Sequence, residues 1–155
     1  MPFLDIRDRL VKLHEGYDER RLVGLAVHPK FGEDRRLFLY YHAPRRASAP
    51  ADWDHTVHVS EIKVGADDLA IPSSERTLLV IDLPYFNHHA GAIVFGPDGF
   101  LYIPIGDGGN ANDTGRGHGE GGKGIGRTSG WEGGRVPGGG GAFKKKNHAI
   151  DVSQT

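Results

Sequence analysis

Along the first two thirds of the chain, apolar and polar residues are grouped in short runs at strand spacing, and helical spacing is nearly absent. The run LVGLAV over residues 22–27 ends at His28-Pro29. Proline lacks an amide donor and forces the preceding residue extended, which predicts a strand stop there. After a polar turn at residues 30–35, RLFLYY at 36–41 is dense in β-formers. Residues 43–54, with Pro44, Arg45, Arg46, Ser48 and Pro50, read as an exposed loop. HTVHVSEIKV at 55–64 alternates, with Val57, Val59, Ile62 and Val64 as inward positions; the parity slip after Val59 predicts a bulge or twist. A loop at 67–74 and a strand at 77–83 follow, and residues 5–15 read as a lead-in strand or a short helix.

Four strands joined by such loops suit an up-and-down antiparallel sheet, and the missing helical runs argue against βαβ units. A second set begins at Gly91. There Gly96-Pro97-Asp98-Gly99 is a strong turn signal joining residues 92–95 to 100–105 as a hairpin. The two stretches LAVHPKFGEDRRLFLYY and IVFGPDGFLYIPI share one order: apolar strand, Pro-containing turn, aromatic strand. A repeated sheet of this kind is the mark of a β-propeller. The predicted fold is therefore all-β, a partial propeller of about one and a half blades over residues 3–118.

Composition changes this picture at the C-terminal end. Of 155 residues 24 are Gly, and most of these fall between Gly106 and Gly141. Residues 119–155 hold few apolar side chains to offset the entropy of ordering, which predicts a disordered or poorly ordered tail. The 19 basic and 20 acidic residues leave a net charge of −1, so no global field points to nucleic acid or an anionic membrane. There is no Cys, which excludes disulfides and thiolate metal sites. No run approaches the ~18 apolar residues of a membrane span. The first residues lack the pattern of a signal peptide.

Chemistry concentrates between Asn87 and Asp113. A neutral imidazole from His88 or His89 can take a proton from a hydroxyl at physiological pH. Neighbours on a strand point to opposite faces, so only one of the pair can face a given pocket. A solvated loop histidine is the plainer reading of the pair. Asp107, Asn110, Asn112 and Asp113 place oxygen ligands among glycines, a loop able to hold calcium, without the glutamate of an EF-hand. GHGEGGK at 117–123 is followed by Gly124 where a phosphate loop needs Ser or Thr, and is rejected. No HExxH pattern is present, which removes the zincin class.

Two motifs in order carry a resemblance. The stretch from Asp18 to Phe31 (DERRLVGLAVHPKF) resembles the ERGLLGLAFHPDF block of the glucose/sorbosone dehydrogenase family. The stretch from Asn87 through FGPDGFLYIPIGDGG resembles that family's NHNGG…FGPDGYLYIGDGG block. The resemblance implies a six-bladed β-propeller and a soluble quinoprotein that oxidises the C1 hydroxyl of an aldose with pyrroloquinoline quinone (PQQ) and calcium. By the His-x-x-Gly spacing it implies His88 as general base, with Asn87 and Glu19 at substrate-contacting positions. Asp107 and Asp113 remain metal candidates from loop chemistry alone. The resemblance also places the PQQ-holding basic residues and the calcium ligands in later blades, outside this chain. The family's LLGKILRIDVD-like strand after the glycine loop is absent, which implies a frameshifted stretch within residues 119–155 as the alternative to a disordered tail. An N-terminal fragment, inactive alone, with a sugar as its small-molecule partner, is the expectation. Family members are often periplasmic or secreted. The alternative is a non-catalytic propeller that binds protein, as the related hedgehog-interacting propeller does.

Overall fold

The computed structural model describes residues 2–89, 91–106, 108, 109 and 148–150. The order is β1 (Leu22–Val27), a single helical turn α1 (Phe31–Asp34), β2 (Arg36–Pro44), β3 (His55–Val64), β4 (Ala70–Leu83), β5 (Val94–Phe95), β6 (Leu101–Ile103) and β7 (His148–Ile150). The first four strands form one antiparallel sheet in the order β1-β2-β3-β4, and the last three a second sheet in the order β5-β6-β7. This is one complete four-stranded blade followed by three strands of the next, a partial β-propeller.

The strands at 22–27 and 55–64 have the expected limits, and the remaining elements depart in instructive ways. Residues 31–34 close a helical turn where a plain turn is expected, and Arg35 ends it in the left-handed region at φ 55. Residues 5–15 form neither helix nor strand, only a turn around residues 7–9. β4 starts at Ala70 rather than near 77 and carries Pro72 inside it. Proline is tolerated there because β4 is an edge strand of its sheet. β7 lies within the segment expected to be a tail and pairs with β6, Leu101 opposite Ile150 and Ile103 opposite His148. The short run His148-Ala149-Ile150 has the apolar content to complete a ladder, which the glycines before it hide.

Both faces of the first sheet are covered. One face carries Ala26, Phe38, Tyr40, Val57, Val59, Leu79 and Ile81 and meets Leu101 and Ile103 of the second sheet, with Ile93 just before β5, in one core. The opposite face carries Leu37, Leu39, Tyr41, Ile62 and Val64 and is covered by Ile6, with Leu4 and Leu10 packed beside it. The expected inward set on β3 is therefore divided: Val57 and Val59 face the second sheet, Ile62 and Val64 the N-terminal segment. The parity slip records this two-sided burial. The β3–β4 register also shifts after Val59 and again after Glu61.

Phe38 is the hinge of the inter-sheet contact. It is fully buried, and its ring meets Phe95 edge-on at 5.1 Å between centroids. Truncating a buried Phe removes transfer energy and leaves a cavity. Phe38→Ala should cost about 3–5 kcal/mol and Phe38→Leu clearly less. Chemical unfolding of the two variants checks this; equal losses would show that the ring contact does not hold the sheets together.

Candidate active site

His88 stands on the connection from β4 to β5. Its backbone sits at φ 59, a conformation that side chains other than glycine seldom adopt. Its ring is exposed, whereas that of His89 is half-buried and turned toward the sheet. The two histidines thus diverge as expected, although they lie on a loop and not on a strand.

The loop is held from two sides. Glu19 accepts a hydrogen bond from the His89 amide at 3.0 Å, and its other oxygen accepts one from the Tyr17 hydroxyl. On the opposite side the glycines after β6 approach the loop backbone. A Cβ at Gly106 would run into the His88 carbonyl, and one at Gly109 (φ +105) would meet Asn87 Oδ1 at 2.5 Å. Glycine is required at these positions by close approach rather than by flexibility. Glu19, on the segment before β1, is thereby brought against the loop that carries Asn87 and His88. Asp107 and Asp113, the loop candidates for calcium, lie outside the described residues.

Beneath the loop is a group that the motifs do not reveal. His42 near the end of β2, His55 at the start of β3, and His89 bring their rings together, with centroids 5.0 Å (His42–His55), 4.5 Å (His42–His89) and 4.7 Å (His55–His89) apart. His42 and His55 are fully buried. Their placement follows from strand alternation: His42 continues the Phe38–Tyr40 face of β2, and His55 begins the Val57–Val59 face of β3. That parity was the available signal. Burial, reinforced by the neighbouring imidazoles, pushes His42 down to about 3 and His89 down to about 4. Burial also lowers His55, and the hydrogen bond to Asp54 partly opposes this. All three rings are neutral at physiological pH.

A buried ion network anchors the cluster. Arg20, 2% exposed, binds Asp18 through Nε at 3.0 Å and Nη2 at 2.5 Å, and Asp54 through Nη1 at 2.7 Å. Asp54 Oδ1 also lies 2.9 Å from His55 Nδ1. Burial works against the charge on Asp18, but Arg20 and the His14 amide hold its carboxyl well below the usual carboxylate range.

Fold and loop together define a propeller-type sheet pair with an exposed, conformationally constrained histidine at one end of the connection between sheets. The model of the Glucose / Sorbosone dehydrogenase family matches residues 17–149, and the chain belongs to that family. The match runs through most of the glycine-rich segment. Hedgehog-interacting protein of Mus musculus is 34% identical over 110 residues, covering 69% of this chain and 16% of its own length. HIPL2 protein of Arabidopsis thaliana is 29% identical over 145 residues, covering 73% of this chain and 20% of its own. The chain thus spans about a fifth or less of these relatives. The PQQ-bound aldose sugar dehydrogenase of Streptomyces coelicolor superposes with a TM-score of 0.50 at 18% identity, over 67% of this chain and 28% of that one. That likeness shows the shared fold.

The neutral cluster makes stability depend on acid. Unfolded imidazoles titrate near 6.5, so below that pH the unfolded chain takes up protons that folded His42 and His89 refuse. Stability is flat above about 6.5 and falls beneath it, each histidine contributing about 1.4 kcal/mol of loss by about pH 5.5. Unfolding free energies from urea titrations at about pH 7.5 and about pH 5.5 should differ by about 3 kcal/mol from these two residues, with His55 adding in the same direction. An unchanged value would mean the rings are solvated.

Proposed function

We propose that this chain supplies the proton-accepting side of a sugar dehydrogenase site. His88 takes the proton from an aldose C1 hydroxyl, and Asn87 and Glu19 contact the sugar. The observation that carries the reading is the backbone of His88: exposed ring, φ 59, and a loop clamped between Glu19 and the glycines at 106 and 109. Strain held in place by surrounding structure is characteristic of functional positions. An exposed imidazole held in one place suits transfer of a hydroxyl proton.

PQQ is the electron acceptor that the family resemblance implies. It carries three carboxylates and requires cationic or N–H donors that are not already committed. Among the described residues, the guanidinium groups that flank Glu19 are both engaged: Arg20 with Asp18 and Asp54, Arg21 with the Asp18 carbonyl at 2.6 Å. These residues do not form a cradle for PQQ. The role assigned to the chain therefore stops at the proton acceptor and the sugar contacts.

A second reading has its own support. One relative at 34% identity is a Hedgehog-interacting protein, so the same blade serves in a protein whose name states protein contact. In that reading the His88 loop is a surface feature of a binding module.

The two readings separate on turnover. The complete reading frame is assayed with PQQ, calcium chloride, glucose and a dye acceptor. His88→Gln should lower kcat at least about 100-fold while KM moves only a few-fold. A variant with undiminished kcat would refute the assignment of His88. A complete frame with no aldose turnover would favour the binding module.

A further inference from the structure

The histidine cluster lies under the sugar-facing loop and takes no part in the chemistry assigned to His88. Each of its rings has one nitrogen engaged and one not. His55 Nδ1 is 2.9 Å from Asp54 Oδ1, and His89 Nε2 is 3.2 Å from the Tyr85 carbonyl. His42 Nδ1 lies 3.0 Å from the Arg21 amide and 3.1 Å from the Arg21 carbonyl. The remaining nitrogens, His42 Nε2, His55 Nε2 and His89 Nδ1, are buried with no hydrogen-bond partner among the described residues. Tyr40, whose ring is 5.8 Å from that of His42, likewise buries its hydroxyl without a partner among them. Unpartnered buried polar atoms are costly, and several pointing into one region call for something that binds them.

One ligand nitrogen from each of the three rings lies within 4.8 Å of the others. We infer that His42, His55 and His89 form a transition-metal site of the three-imidazole type, with Zn²⁺ as its natural occupant. Tetrahedral zinc with Zn–N near 2.0–2.1 Å sets its nitrogens roughly 3.3 Å apart, so the rings close in by up to about 1.5 Å. His89 is carried by a connection rather than a strand, and it supplies the movement. The donor set selects the metal. Three imidazoles without thiolate suit zinc, copper or nickel and disfavour calcium and magnesium, which require oxygen ligands.

The outer contacts have the form that metal-bound histidines require. A carboxylate on His55 and a backbone carbonyl on His89 each fix the proton on the far nitrogen and turn the other lone pair inward. For His42 the Arg21 carbonyl does the same once Nδ1 carries the proton. The metal would tie β2 and β3 to the residue next to His88. Three ligands leave a fourth position for water.

The test uses the untagged full chain, stripped with EDTA and titrated with zinc chloride against a chromophoric chelator. One equivalent should bind, with the thermal midpoint raised and then restored by EDTA. His55→Gln or His42→Gln should weaken binding by more than the roughly 10–100-fold expected of Asp54→Asn. His14→Gln, at an exposed histidine, should leave it unchanged. Because a ligand variant can lose its fold, ¹⁵N imidazole correlation spectra of the unaltered chain decide independently. On adding zinc, His42 Nε2, His55 Nε2 and His89 Nδ1 should move to metal-bound positions. No stoichiometric binding, or binding that shifts other histidines instead, overturns the site.

Discussion

A guanidinium that is 2% exposed has to be neutralised where it lies, and the surroundings of Arg20 are built to that requirement. Two of its partners are near in sequence, Asp18 beside it and the Lys12 carbonyl before it, and the third, Asp54, comes from just ahead of β3. Because Asp54 also holds His55, and Glu19 sits between Asp18 and Arg20, the ion network fixes the buried cluster and the His88 loop together. Removing one charge would strand the others in a poorly solvated place. The pairing therefore acts less as a source of stability than as a demand for one arrangement.

The sheet meets a second demand. A propeller blade buries both faces, so its strands carry apolar residues on both parities. β3 does this with Val57 and Val59 on one side and Ile62 and Val64 on the other. The edge strand β1 keeps this character where its side chains stay half open: Leu25 and Val27 are each 50% exposed. Their β2 partners, Leu39 and Leu37, lie on the face covered by the N-terminal segment.

How much of this was legible in the sequence depends on whether a signal was local. β1 is readable because His28-Pro29 stops it, and the second hairpin because Gly96-Pro97-Asp98-Gly99 presets its turn, closed by the Gly96 amide on the Phe100 carbonyl at 2.9 Å. His88 stands out through its spacing to Gly91. The first half of β4 escapes notice because Pro72, Ser73 and Ser74 sit on an edge strand, where burial imposes no pattern. The histidine cluster escapes because its members are far apart in sequence and meet only after β2 and β3 pair in register, Pro44 opposite His55. Parity along each strand carried the information, but pairing was needed to combine it.

The return of the chain at His148 to lie beside Ile103 has a consequence for sequence drift. Two paired positions in neighbouring strands stand about 5 Å apart, whatever intervenes between them. The second sheet therefore fixes where the polypeptide between β6 and β7 leaves and where it rejoins. Any insertion or deletion between the two strands has to bring His148 back beside Ile103.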